Sequence, residues 1–150
     1  MIAAYYDTAF LLKLYWSEIG SNDVRAHAAD IDVIVCSLHG KAELIAAALR
    51  RFREGSATKA QMKALLEQIE TDHRAGALHW LPITDQNLQR VSRAFATAPA
   101  DTFLRAADTL HLASAAEERF LEIYSNDRHL LATAPLFGLK GTNVIQSLSP

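Results

Sequence analysis

The stretch from Phe103 to Ala116 constrains the fold of this chain most, because it is apolar nearly all round and yet carries an acid. Its sequence, FLRAADTLHLASAA, has apolar residues at helical spacing on one face and leucine and alanine over much of the rest. Such a pattern predicts a buried helix, in which an unpaired Asp108 carboxylate would cost several kcal/mol. Asp108 therefore needs a basic partner, a water-filled cleft or a metal ion.

Size and composition predict one domain over residues 1–150, with an ordinary hydrophobic core. The net charge of −2 excludes a bulk basic excess, so contact with a polyanion needs a local patch or a cation. The single cysteine, Cys36, excludes an internal disulfide and favours a reducing, cytoplasmic environment. Neither a signal peptide nor a membrane-spanning segment is expected, since Asp7 interrupts the first apolar run and Lys13 follows soon after.

Short apolar or β-branched runs alternate with helical patterns along the whole chain. The predicted strands are residues 2–6, 32–36, 78–83, 121–124 and 142–145, and the predicted helices between them include 17–29, 37–53, 58–74 and 85–97. This alternation predicts an α/β fold, a three-layer α/β/α sandwich with a central, mainly parallel sheet of four or five strands.

The helical periodicity also predicts which faces of the helices are buried. For the helix that follows Ser37, the predicted core stripe consists of Leu38, Ala42, Ile45, Leu49 and Phe52. For the helix at residues 85–97, the residues predicted to face inward are Leu88, Val91 and Phe95.

Four acids are candidates for one site. Asp7 and Asp127 each follow a predicted strand, where an aspartate is also a common helix N-cap. Glu43 lies on the flank of its helix, where the alternative is a solvated glutamate paired with Arg50. Parallel strands end at one edge of a sheet, and ligands bind beyond that edge. A doubly wound topology could therefore gather these acids with Asp108 at one rim.

Carboxylates gathered in a cleft repel one another by about 4 kcal/mol per near pair at an effective dielectric constant near 20. A hard divalent cation relieves that repulsion, and all-oxygen ligands favour Mg²⁺ or Mn²⁺ over zinc. If the ligand of such a site carries phosphates, exposed arginines such as Arg50, Arg105 and Arg128 are candidate contacts to them. His111 lies one turn after Asp108 and could be its partner. It is interpreted as a packed, hydrogen-bonded structural residue, and the alternative is a catalytic base.

Four segments resemble the successive motifs of PIN-domain ribonucleases, and the resemblance runs over nearly the whole chain. They are YDTA from Tyr6, VCSLHGKAEL from Val35, AADTLHLASA from Ala106 and SNDRHLL from Ser125. The compact bacterial VapC-like toxins of toxin–antitoxin pairs are the members that this sequence resembles most. The segment DTLHLASA is the most specific of the motifs.

The resemblance implies a PIN-like fold and a metal-dependent endoribonuclease. It places the catalytic, metal-binding quartet on Asp7, Glu43, Asp108 and Asp127, with Thr8 and Ser125 as small hydroxyl residues beside the metal. The implied cofactor is Mg²⁺ or Mn²⁺, which holds the scissile phosphate and activates a water molecule. The implied partners are an RNA substrate, a cognate antitoxin protein with its tail in the acidic cleft, and a second copy of the chain.

Two other aspartate-based classes fit the sequence poorly. Phosphohydrolases of the haloacid-dehalogenase type need a second aspartate two residues after the first, where this chain has Ala9. Response-regulator receivers need an acidic pair at the first strand and a lysine at the last, and this chain has neither. The sequence also lacks a Gly-rich phosphate loop, which argues against nucleotide binding of the Rossmann or P-loop kind. Two alternatives stay open, namely a catalytically quiet PIN-like binding or regulatory protein and a metal nuclease that acts on DNA.

Overall fold

A central parallel sheet organises the computed structural model, which describes residues 1–146. Every neighbouring pair of strands is parallel, and the order is β3-β2-β1-β4-β5. The strands are Ala3–Tyr6 (β1), Val33–Ser37 (β2), Leu78–Leu81 (β3), Glu122–Tyr124 (β4) and Lys140–Thr142 (β5). The predicted α/β/α sandwich with a sheet of four or five strands is confirmed.

Seven α-helices connect the strands in the described part of the chain, and a short 3₁₀ turn at Ala134–Phe137 follows the last of them. They are Thr8–Tyr15 (α1), Ser21–Ala28 (α2), Leu38–Arg53 (α3), Lys59–Arg74 (α4), Asp85–Ala96 (α5), Ala106–Glu117 (α6) and Arg128–Thr133 (α7). None of the helices within residues 1–146 combines the length and the apolar character needed to cross a bilayer.

Side chains along the strands alternate between two hydrophobic cores, one on each face of the sheet. From β1, Ala4 and Tyr6 join the core that contains Phe10 of α1 and Leu44 of α3. Tyr5 points to the other face, where the core contains Leu112 of α6 and Leu130 of α7. Helices therefore cover both faces, which explains why the strands are apolar on both sides.

The direction of the chain across the sheet reverses beside β1. The chain moves outward from β1 through β2 to β3, and α5 and α6 then return it to β4 on the other side of β1. Ligand-binding crevices of doubly wound sheets lie at such a reversal, beyond the carboxyl ends of the two strands. In this chain Asp7 follows β1 and Ser125 follows β4 at that point.

The central helix is shorter than the prediction of 103–116, because it begins only at Ala106. Arg105 has extended dihedrals and forms the N-cap, and Phe103 lies outside the helix with 59% of its surface exposed. Asp108 is therefore in the first turn of α6 and not in the middle of a helix. The positive end of the helix dipole favours a carboxylate there, so part of its predicted burial cost is relieved.

The predicted buried stripe of α3 is wrong. Its large apolar residues are partly exposed, with exposed fractions of 47% for Leu38, 41% for Ile45, 53% for Leu49 and 38% for Phe52. The buried face consists of Gly40, Leu44 and Ala48. The small residues Gly40 and Ala48 allow α3 to pack closely on the sheet and on α6, so the predicted stripe faces the surface of the protein.

The prediction for α5 is confirmed for Val91, which packs against the core, but it is wrong for Leu88 and Phe95. Leu88 and Phe95 are 51% and 39% exposed, whereas Asn87 and Ala94 are buried. Asn87 is buried because its side chain closes a capping box with Thr84 at the start of α5.

Two element boundaries also differ from the prediction. Helix α2 begins at Ser21 and not at residue 17, because Gly20 has a left-handed φ of 89° that interrupts the helix. The last strand is Lys140–Thr142 and not 142–145, since these residues pair in register with Glu122–Tyr124. Ile145 instead packs against the core. Its side chain lies so close to Gly20 that a Cβ atom at that position would be only 2.6 Å from Ile145 Cδ1.

Close packing at Gly40 yields a prediction about stability. A Cβ on Gly40 would lie 2.4 Å from Cys36 Sγ and 2.9 Å from His111 Cε1. At an exposed helical position, glycine to alanine stabilises by about 1 kcal/mol. We expect Gly40→Ala instead to lower the free energy of unfolding by about 1–3 kcal/mol, measured in urea. The matched control Ala46→Gly, on the exposed face of α3, should lose about 1 kcal/mol. A more stable Gly40→Ala variant would contradict this packing.

Candidate functional site

Asp7 is a buried acid directly after β1, with 5% of its surface exposed. Its Oδ1 accepts a hydrogen bond from the Phe10 N–H at 3.0 Å, so the predicted helix cap exists. Its Oδ2 accepts a hydrogen bond from the Ser125 hydroxyl at 2.5 Å. Burial raises the pKa of Asp7, and the Asp108 charge raises it further, against the opposing effects of His111, Ser125 and Phe10. Asp7 is therefore the N-cap of α1 and also an acid whose ionised form is disfavoured by burial.

Ser125 connects Asp7 to Asp127 at the end of β4. The Asp127 N–H donates to Ser125 Oγ at 2.9 Å, while the same hydroxyl donates to Asp7. Asp127 Oδ1 accepts from the N–H groups of His129 and Leu130 at 2.8 and 3.1 Å. Asp127 is therefore the N-cap of α7, as its position after a strand predicts, and it shares a hydroxyl partner with Asp7.

Glu43 in α3 is held from two other elements. Its Oε1 accepts from the Thr8 hydroxyl at 2.8 Å and lies 3.0 Å from His111 Nε2. Burial alone would raise the pKa of Glu43, but the hydrogen bonds from His111 and Thr8 outweigh it and the pKa is lowered. Glu43 therefore stays ionised, and the alternative of a solvated glutamate paired with Arg50 is wrong.

His111 in α6 is the structural link between the sheet and Glu43. The buried ring lies with Nδ1 3.0 Å from the Tyr5 hydroxyl, which itself accepts from the Ser37 N–H at 3.2 Å. Nδ1 and the Tyr5 hydroxyl share a hydrogen bond, and the Nε2 proton points to Glu43. Burial acts to lower the pKa of His111, but Tyr5 and its other neighbours, Glu43 among them, outweigh burial and raise the pKa well above its usual value. The interpretation of His111 as a packed, hydrogen-bonded residue is confirmed, whereas its hydrogen-bond partner is Glu43 and not Asp108.

Asp108 and Asp127 face one arginine. Arg105 Nε lies 3.6 Å from Asp108 Oδ2, and Arg105 Nη2 lies 3.5 Å from Asp127 Oδ2. Burial raises the pKa of Asp108 and the Asp127 charge adds to that rise, while Arg105 acts against it. The two acids are thus close enough to repel each other, and a cationic side chain lies between them.

The other two predicted arginines occupy different places. Arg128 is exposed and is the first residue of α7, next to Asp127. Arg50 lies seven residues after Glu43 on α3, a rise of about 10 Å along the helix. It lines a separate cavity with Leu12 and Glu54. The structure thus brings Arg105 and Arg128 to the acids, but not Arg50.

The four predicted acids lie at the carboxyl edge of the sheet as two hydrogen-bonded groups and not as a closed metal cage. Ser125 and Arg105 connect Asp7, Asp127 and Asp108. Thr8 and His111 hold Glu43, and the His111 charge also acts on Asp7 and Asp108.

Within residues 1–146, no three His, Cys, Asp or Glu side chains are arranged to hold an ion directly. The donor chemistry is nonetheless that of a hard cation, since every acid offers carboxylate oxygens. Mg²⁺ keeps several water ligands in proteins, so the donor set fits an ion that is held partly through water.

Sequence reasoning missed two features of this site. Tyr5 is one, because nothing local indicates that its hydroxyl supports a histidine 106 residues later in the chain. The double contact of Arg105 is the other, although its position three residues before Asp108 puts the two side chains on one helix face. That spacing is the signal in the sequence that could have indicated the contact between Arg105 and Asp108.

The comparisons with known proteins agree with this geometry. The family model described as the PIN domain matches residues 4–135. No curated protein matches the chain significantly.

Several solved structures share the fold at low sequence identity. VapBC2 from Rickettsia felis, solved with a promoter DNA fragment, has a TM-score of 0.64 and 14% identity, with coverage of 95% of this chain and 98% of that chain. FitAcB from Neisseria gonorrhoeae has a TM-score of 0.69 and 17% identity, with coverage of 96% and 98%. VapBC-5 from Mycobacterium tuberculosis, a toxin–antitoxin system, has a TM-score of 0.62 and 16% identity, with coverage of 95% and 99%.

The sheet order, the acids beyond β1 and β4 and the motifs of the sequence all agree with this match. Because the family model covers residues 4–135 of 150, the chain belongs to the PIN-domain family.

Proposed function

We propose that the protein is a divalent-metal-dependent endoribonuclease and the toxin of a toxin–antitoxin pair. PIN-domain proteins are nucleases, which hydrolyse phosphodiester bonds. The observation that carries the proposal is the placement of Asp7, Glu43, Asp108 and Asp127 at the reversal point of the sheet. Two of these acids, Asp7 and Asp108, have raised pKa values because of burial, and the charge of a second acid adds to each rise. Burial and neighbouring charge disfavour the ionised forms of these two acids, and a bound cation would stabilise them.

The four acids have separate roles in this proposal. Asp7, Glu43 and Asp108 are the main ligands of Mg²⁺ or Mn²⁺, directly or through water, and Asp127 binds a second ion or orients the attacking water. PIN-domain nucleases generally use divalent metal ions. The bound ion would polarise the phosphate and lower the pKa of a water molecule, so that no covalent enzyme intermediate is needed.

Neighbouring side chains prepare the ligands for that task. Ser125 and the Phe10 N–H hold the two oxygens of Asp7, and Thr8 and His111 fix Oε1 of Glu43. Fixed carboxylates need little reorganisation when an ion binds, which favours affinity. Thr8 and Ser125 therefore act as supporting residues and not as ligands.

The substrate is proposed to be RNA, which approaches along the arginines beside the acids. Arg128 is exposed, and the Arg105 side chain is 72% exposed although it contacts Asp108 and Asp127. Both can therefore contact phosphates that flank the scissile bond. Arg50, which lies farther along α3, would contact only a more distant phosphate.

The toxin assignment rests on the solved relatives, two of which are named VapBC, one of these as a toxin–antitoxin system. By analogy we propose a cognate antitoxin protein whose tail occupies the acidic cleft, and a cytoplasmic site of action. We also propose a homodimer through surface helices. The exposed apolar stripe of α3, which includes Ile45, Leu49 and Phe52, supports such an interface.

Neutralising the acids tests the nuclease proposal. We expect Asp7→Asn and Asp108→Asn each to lower cleavage of single-stranded RNA in Mg²⁺ at least about 100-fold, because each variant removes a proposed ligand charge. The control Asp30→Asn changes an exposed acid between α2 and β2, at the opposite edge of the sheet, and should cleave at the wild-type rate. Cleavage is measured on matched RNA and DNA strands.

Cleavage that persists in EDTA or in the Asp108→Asn variant would contradict metal-dependent hydrolysis. Faster cleavage of the DNA strand would instead favour the DNA nuclease. If the wild-type protein cleaves neither strand and still binds Mg²⁺, the result favours the alternative of a catalytically quiet binding or regulatory protein.

The α3 stripe yields a separate prediction about assembly. Leu49→Glu should weaken self-association about 100-fold or more, because a twofold interface loses one buried leucine from each copy and gains two charges. Leu121→Glu is the matched control, since Leu121 is 84% exposed on another part of the surface. Light scattering after size-exclusion chromatography measures both variants. A Leu49→Glu protein that remains dimeric would exclude this face.

A further inference from the structure

An aromatic surface lies beside the acids, and the proposed cleavage reaction leaves it without a role. The Phe103 ring, 59% exposed, meets the His129 ring with centroids 4.6 Å apart and an interplanar angle of 54°. The two rings border a cavity of about 300 Å³, which Thr102, Thr133 and Leu136 also line. We call Phe103, His129 and this cavity the aromatic pocket.

The aromatic pocket is linked to the acids on both sides. Phe103 precedes Arg105 by two residues, and Arg105 contacts Asp108 and Asp127. His129 follows Asp127 by two residues, and its N–H donates to Asp127 Oδ1 at 2.8 Å. The pocket and the acids therefore share two short segments of the chain, residues 103–108 and 127–129.

We propose that the aromatic pocket binds one nucleobase of a single-stranded RNA substrate, next to the scissile phosphate. This inference rests on the proposed nuclease function, and it specifies which part of the RNA substrate the protein recognises. Exposed phenylalanine and histidine rings are the surfaces on which unpaired bases stack. A cavity of about 300 Å³ has the size of a small-ligand site and holds a single base.

Charge complementarity favours nucleic acid over an apolar peptide side chain as the occupant. Arg105 follows Phe103 by two residues and Arg128 directly precedes His129, so each ring has an exposed arginine next to it in the chain. Phosphates next to a stacked base could contact these arginines. Asp101 and Thr102 at the rim offer acceptors and a hydroxyl to the edge of a base. Stacking on a duplex is excluded because paired bases do not expose their faces.

Fluorescence of 2-aminopurine, a base whose emission falls when it stacks, tests the proposal. A short single-stranded RNA that carries this base is titrated with the wild type, Phe103→Leu and Phe103→Trp, in EDTA and in Mg²⁺. We expect quenching with the wild type and with Phe103→Trp, which keeps an aromatic face. Phe103→Leu keeps the apolar surface without that face, and its Kd for the RNA should rise about 5-fold to 100-fold. Phe95→Leu, on α5, changes a partly exposed phenylalanine outside the pocket and should bind like the wild type.

The outcomes separate this proposal from the nuclease proposal. Quenching that depends on Phe103 in a protein that cleaves no RNA would support the pocket and contradict the nuclease. Cleavage and binding unchanged in Phe103→Leu, or no quenching with the wild type, would overturn the pocket while the nuclease stands. If Phe103→Leu weakens the antitoxin complex and leaves the Kd for RNA unchanged, the pocket is a protein-docking site and the proposal is wrong.

Discussion

Repulsion among carboxylates at one edge of the sheet is the constraint on which the rest of this structure depends. Two strands that are distant in sequence, β1 and β4, lie side by side, and each delivers an aspartate just past its end. Helices α3 and α6 add Glu43 and Asp108. Apolar packing holds these elements together, and the acids are kept at one rim because the sheet and its two cores determine their positions.

The protein offsets this repulsion with hydrogen-bond donors and with positive charge. Ser125 and Thr8 donate hydroxyl protons, His111 donates from a ring fixed by Tyr5, and Arg105 lies between two of the acids. Helix N-termini add favourable dipoles at Asp7, Asp108 and Asp127. The raised pKa values of Asp7 and Asp108 show that the compensation is incomplete, which is the state expected of a site that gains stability when a divalent ion binds.

The sequence predicted what depends on local pattern and missed what depends on packing between distant elements. Apolar runs identified the first four strands but misplaced the fifth, whose residues Lys140–Thr142 are not apolar. An acid after a strand correctly indicated the caps at Asp7 and Asp127. The buried face of α3 was wrong because the small residues Gly40 and Ala48, on either side of Leu44, decide how closely the helix approaches the sheet. Phe103 was assigned to a core helix by its periodicity, but Arg105 begins the helix and leaves the ring on the surface. The pairing of His111 with Glu43 joins residues 68 positions apart, and no local pattern reveals it.

The free energy of unfolding of the wild type and of Asp108→Asn, measured in EDTA and again in excess Mn²⁺, tests the central claim most directly. In EDTA the variant should be the more stable protein, because it removes a charge whose ionised form the fold disfavours. In Mn²⁺ at about 100 times its Kd the wild type should gain about 2.7 kcal/mol, while the variant gains much less. A wild type that is more stable than Asp108→Asn without metal, together with an equal gain for both proteins in Mn²⁺, would contradict the account.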